Sequence, residues 1–143
     1  MKKKIPYIII IAFALAAVVF AGLWVREKSE KIQMMELLCE NSVQQSYEWF
    51  TAYEKDEAVG DYWYGVAEYN SFMKAYILLC DREQQSSRNE LNRAYGSMVL
   101  KAEKVQENMD QLLDALTMLS KDIYDPNAML RLNEFNNAID DVC

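Results

Sequence analysis

Apolar residues recur at alternating steps of four and three from Leu91 to Ile123: Leu91, Tyr95, Met98, Ala102, Val105, Met109, Leu112, Leu116, Leu119 and Ile123. The run contains no Pro, and its single glycine, Gly96, lies off the stripe. Three-to-four spacing keeps side chains on one side of an α-helix, so the pattern predicts one long helix with a buried face. Ala94, Val99, Leu113 and Ala115 widen that face, while Glu103, Lys104, Glu107, Asp110, Gln111, Asp114 and Lys121 fall on the outer side. A face this broad, without the opposite-charge pairs that flank a two-stranded coiled-coil seam, suits packing within one bundle. Ser87-Arg88-Asn89-Glu90 has the spacing of a capping box and sets the predicted start of the helix.

Shorter stripes lie on either side. Ile32, Met35, Cys39, Val43, Phe50 and Tyr53 share a face, with Ser46 its one polar position. The cluster Glu54-Lys55-Asp56-Glu57, followed by Gly60-Asp61, predicts a turn. A second helix then presents Tyr62, Val66, Tyr69, Met73, Tyr76, Ile77 and Cys80. Asp81 to Ser86 is a polar connection. Asp125-Pro126 supplies an N-cap and a proline at the first helical position, and the last helix offers Ala128, Leu132, Phe135, Ile139 and Val142.

The N-terminus has a different pattern. Lys2, Lys3 and Lys4 precede an uncharged run from Ile5 to Val25, 21 residues that span roughly 31 Å as a helix, about one hydrocarbon core. Pro6 sits in the first turn, and Tyr7 and Trp24 fall near the two ends, where aromatic rings favour the interface. Val19-Phe20-Ala21 also fits a signal-peptide cleavage motif that would leave Gly22 as the first mature residue. The apolar run exceeds a usual signal core and continues through Leu23-Trp24-Val25, which predicts an uncleaved anchor. The fold class expected is therefore all-α: an N-terminal transmembrane helix continuing into an up-down antiparallel bundle of about four helices. The domain boundaries expected are a basic cytoplasmic tail at 1–4, a transmembrane helix at 5–25 and an extracytoplasmic bundle at 26–143.

Bases flank the span evenly, with Lys2, Lys3 and Lys4 on one side and Arg26, Lys28 and Lys31 on the other. The short N-tail and its amino group favour an N-terminus in the cytoplasm and a C-terminal domain outside. This predicts a single-pass protein of the cell membrane with the lipid bilayer as its first partner. A cytoplasmic stretch of only Met1 to Lys4 would leave signals to travel through the membrane helix or a partner.

Charge and composition narrow the chemistry. Beyond Val25 all 22 acids face 12 bases, and no basic patch offsets them, which argues against nucleic acid as a partner. The absence of His removes the usual general base and the commonest metal ligand. No CxxC pair, glycine-rich phosphate loop or Gly-x-Ser-x-Gly turn occurs, and no acid interrupts an apolar stripe. Glu54, Asp56, Glu57 and Asp61 lack the alternating ligands and central glycine of a calcium loop. The sequence predicts no enzyme, no cofactor and no metal.

Two features remain. Cys39 lies 17 residues before Asp56 and Cys80 lies 19 after Asp61, about 26 and 29 Å along adjacent helices, so a disulfide between them is geometrically allowed. The alternative is two buried thiols, with Cys143 unpaired in either case. Ten of the 17 aromatic residues fall between Tyr47 and Tyr76, too many to share one face. Trp49, Tyr53, Tyr62, Trp63 and Tyr64 form the candidate binding patch, against a plain reading of aromatic packing that closes the hairpin. The function expected is a non-catalytic interaction, sensing or scaffold module contacting an envelope or membrane protein. A ligand-binding bundle with an aromatic-lined pocket is the alternative, and a homo-oligomer through Leu100 and Met118 is a third.

Overall fold

A computed structural model of the chain describes residues 5–80 and 85–140, with side chains from Phe13 onward. It divides into two compact units, Met1–Met34 and Met35–Cys143, and α1 (Ile5–Asp56) contributes to both. Among the described residues the remaining elements are α2 (Val59–Leu79), α3 (Gln85–Leu100), α4 (Ala102–Glu107), α5 (Met109–Leu119) and α6 (Pro126–Asp140). All are helical, as the apolar periods require. Val142 and Cys143 lie outside the described residues.

In the first unit, the side chains of α1 from Phe13 onward are exposed on every side of the helix. Phe13, Val18, Phe20 and Trp24 are 74, 70, 73 and 64 % accessible. Past Val25 the helix turns polar and carries two ion pairs one turn apart, Arg26 Nε to Glu30 at 2.8 Å and Lys31 Nζ to Glu27 at 2.6 Å. Pairs of this spacing add a few tenths of a kcal/mol each to an exposed helix, roughly 0.2–0.5. Lys28 lies over the Trp24 ring, its ammonium 5.7 Å from the ring centre.

The expected membrane span is not borne out here. Among the described residues no helix is long and apolar enough to cross a membrane. The first part of the run, residues 5–12, has its side chains outside those described.

In the second unit, hydrogen bonds fix how the helices run. Ser46 Oγ donates to Gly65 O at 2.9 Å, and the Cys39 thiol approaches Phe72 O at 3.9 Å, so α1 and α2 are antiparallel. Tyr62 Oη donates to Met98 O at 2.8 Å and Tyr69 Oη to Leu91 O at 3.3 Å, which makes α2 and α3 antiparallel too. Asn136 Nδ2 donates to Glu90 O at 2.9 Å, while Asp140 accepts from Arg93 at 2.8 Å and Lys101 at 2.7 Å. Those contacts set α6 parallel to α3. Gln111 and Asp114 of α5 share a cleft with Arg131 and Glu134 of α6, and the short connection from Leu119 to Pro126 folds α6 back along α5 as an antiparallel pair.

These directions correct the reading of one long helix from Leu91 to Ile123. The chain rises through α3, turns over α4 and descends through α5. Among the described residues the result is five longer helices where about four were expected, with α4 as a corner piece beside the α1–α2 turn. Neither break contains Pro or Gly; side chains make them. At the first, Lys101 leaves the helical region (φ −130°, ψ 42°), and the Tyr62 hydroxyl takes the Met98 carbonyl that a continuous helix would bond to residue 102. At the second, Asn108 (φ −120°, ψ 27°) donates its side-chain amide to Lys104 O at 2.9 Å, while its backbone N–H bonds Val105 O. The stripe stays inside all the same: Leu91, Met98, Val105, Leu112, Leu116 and Leu119 are fully buried.

The other stripes meet in the same core. Cys39, Val43, Phe50, Tyr69, Phe72, Leu132, Phe135 and Ile139 have no accessible surface. Ser46, the polar interruption in the first stripe, is fully buried and satisfied by Gly65 O, which removes the cost of its burial. A Cβ on Gly65 would meet the Phe50 ring at 2.9 Å, so α1 and α2 approach this closely only over a glycine. The α1–α2 turn is tighter than the polar cluster implied, since only Glu57 and Ala58 fall outside helices and Glu57 adopts a left-handed conformation (φ 51°). Asp125 caps α6 as expected, its Oδ1 accepting from Asn127 N at 2.9 Å. The expected capping box at Ser87 is not formed. α3 already begins at Gln85, and the Glu90 carboxylate is engaged by Arg93 at 2.9 Å and Asn136 at 2.8 Å.

Candidate functional site

The five residues of the candidate patch separate by depth. Tyr62 is buried at 1 % accessibility, whereas Trp49, Trp63 and Tyr64 are 37, 46 and 59 % accessible and Tyr53 is half-buried. Consecutive residues on a helix turn by about 100°, so only one of Tyr62, Trp63 and Tyr64 can face the core. Tyr62 does so, with Phe50, Tyr53 and Trp63 ring centres at 5.6, 5.4 and 5.3 Å, each nearly edge-on. It belongs to the core and supports the patch from beneath.

The exposed members form two surfaces. On one, Trp49 of α1 and Tyr64 of α2 pack at 5.0 Å between ring centres across the helix pair. On the other, Trp63 lines a cleft of about 420 Å³ with Val99, Leu100, Lys101 and Lys104 at the α3–α4 corner. Leu100 is 82 % accessible, as its outer position predicts, and Val99, expected to widen the core face, is 41 % accessible, so both add apolar surface at the corner. Met118, expected on the outer side with Leu100, is half-buried against the core because α5 runs back along the bundle.

Tyr53 looks elsewhere. It lines a cleft of about 760 Å³ at the same end of the bundle with Glu54, Glu57, Glu103, Glu107, Asp110 and Met109. Sequence alone did not bring these acids together, since α4 lies beside the α1–α2 turn only once the chain has doubled back. Among the described residues no group of three or more side chains is placed to hold a metal ion.

At the opposite end, Tyr76 and Tyr124 pack at 6.4 Å between ring centres, and Tyr124 Oη contacts Glu36 at 3.1 Å. Cys39 and Cys80 are buried beside them. Burial, together with the neighbouring Cys80 and with Glu36 and Glu40, pushes the Cys39 thiol up to about 12, leaving it protonated and unreactive near neutrality. The Cys39 thiol lies 3.9 Å from Phe72 O, with Cys80 near enough to add to its upward shift.

Compared with known proteins, the chain matches no family model, no curated protein and no solved structure.

Proposed function

We propose that the protein is a non-catalytic interaction module tethered to a membrane by Ile5–Val25, with its helical bundle on the extracytoplasmic side. One observation carries this reading: from Phe13 to Val25 the helix exposes large apolar side chains all round. A helix apolar on every side is stable only when buried in protein or lipid. The uncharged run begins earlier, at Ile5, behind Lys2, Lys3 and Lys4. The partner surface in this reading is the aromatic end of the bundle, Trp49 with Tyr64 and Trp63 with Leu100. Tyr and Trp supply contact area with little side-chain entropy to lose, which suits an envelope or membrane protein as partner.

Alkaline carbonate washing of membranes from cells expressing the whole chain tests the tether. The protein is expected to stay with the membrane pellet, and Val18→Asp with Phe20→Asp is expected to release it. Recovery of the unaltered chain in the wash would end the proposal.

A further inference from the structure

The apolar stripe from Leu91 to Ile123 keeps a helical period straight through two backbone breaks. Met98, Ala102, Val105, Met109 and Leu112 continue it without a slip, and neither Pro nor Gly lies at Lys101 or Asn108. A sequence written for one straight helix is thus folded into a hairpin, held by two side-chain hydrogen bonds, Tyr62 to Met98 O and Asn108 to Lys104 O. Straightening would restore the missing rungs of the backbone ladder. It would also strip α5 and α6 from α1 and α3, baring Leu112, Leu116, Leu119, Leu132, Phe135 and Ile139, all fully buried. The same groove on a second copy of this chain is already shaped to receive them.

The geometry points to a domain-swapped dimer in which α3, α4 and α5 form one continuous helix and α5–α6 pack into the partner copy. The contacts of α6 with α3 and α5 are kept, and what changes is which chain supplies them; the cost is confined to the α4 corner and its two side-chain hydrogen bonds. The ties between α3 and α6 then join two chains: Arg93 with Asp140 at 2.8 Å, Arg93 Nη2 with Asn137 Oδ1 at 3.1 Å, and Asn136 with Glu90. So does Tyr124 with Glu36. The pair α5–α6 moves as a unit, keeping its short connection through Asp125-Pro126. The inference does not depend on the proposed tether.

Ala102 is the position that separates the two forms. It is the first residue of α4, where a missing N–H costs no helical bond and Lys101 need only open its ψ, but in a straight helix a proline there would clash with the Met98 carbonyl. In a Cys143→Ser background, two differently tagged full-length chains, one Arg93→Cys and the other Asn137→Cys, are co-expressed, extracted in detergent and oxidised. A swapped dimer gives a disulfide joining the two tags. Tyr62→Phe, which frees the Met98 carbonyl for the ladder, is expected to raise that product several-fold, and Ala102→Pro to abolish it. The proposal is overturned if no mixed disulfide forms in the parent pair, or if Ala102→Pro leaves its yield unchanged.

Discussion

Tyr62→Ala is expected to lower the unfolding free energy by about 3–5 kcal/mol, the range for removing a large aromatic side chain from a core. That is a large share of the roughly 5–15 kcal/mol available to a domain of this size. The ring is 1 % accessible and packs against Phe50, Tyr53 and Trp63, so its loss leaves a cavity where α1, α2 and α3 meet. The hydroxyl adds a separable part. Tyr62→Phe keeps the packing but leaves the Met98 carbonyl without its partner, at a cost of about 1–2 kcal/mol. Tyr64→Ala, two residues on but 59 % accessible, is expected within about 0.5 kcal/mol of the parent. Urea unfolding of the three variants in the full-length, detergent-solubilised chain measures this order. Equal effects at 62 and 64 would remove the distinction between core and patch.

Alkali should unfold the bundle in one cooperative step. Burial pushes the phenols of Tyr62, Tyr69 and Tyr76 well above the ordinary value of 10.0 and the Cys39 thiol from 9.0 up to about 12. Secondary contributions come from Tyr53 at Tyr62, from Glu90 at Tyr69 and from Cys80 at Tyr76. Above pH 9 the folded chain therefore binds more protons than the unfolded one. Stability is complete below that pH and falls as the pH rises towards the folded-state values, by about 1.4 kcal/mol per pH unit for each group that stays protonated in the fold. With several such groups, unfolding is expected between about pH 10 and 12. Absorbance of tyrosinate should then rise in a sharp step that coincides with loss of helical circular dichroism. A gradual rise with the helices intact would contradict the burial of these rings.

The fold was legible wherever a single helix decides which side chains face inward. The stripes of α2 and α6, and of α1 from Met35 on, lie in or against the core, whereas Ile32, expected on the same face, is 43 % accessible; Asp125-Pro126 starts α6 as its chemistry requires. The reversal between α3 and α5 was not legible, because periodicity records which side of the local backbone is apolar and not whether successive turns share an axis. The residues that break the axis act from outside the stripe: Tyr62 belongs to α2, and Asn108 falls between the stripe positions Val105 and Met109. Asn108 is the one signal a reader could have used, since asparagine favours helix ends and turns. The candidate patch was half legible for the same reason. Three consecutive aromatics guarantee that some are exposed, but which of them is buried depends on the partner helix, and Val99 and Leu100 join Trp63 only through the unforeseen corner.

Leu100, 82 % accessible, is the place to ask on which side of a membrane the bundle stands. In a Cys143→Ser background, a Leu100→Cys chain offers one reactive thiol, because Cys39 and Cys80 are buried. The measurement is its modification by a membrane-impermeant maleimide in intact cells, read on chain recovered from carbonate-washed membranes. A tethered external bundle predicts full modification before the cells are opened. Modification that appears only after lysis, or a modified chain found in the medium, would contradict it.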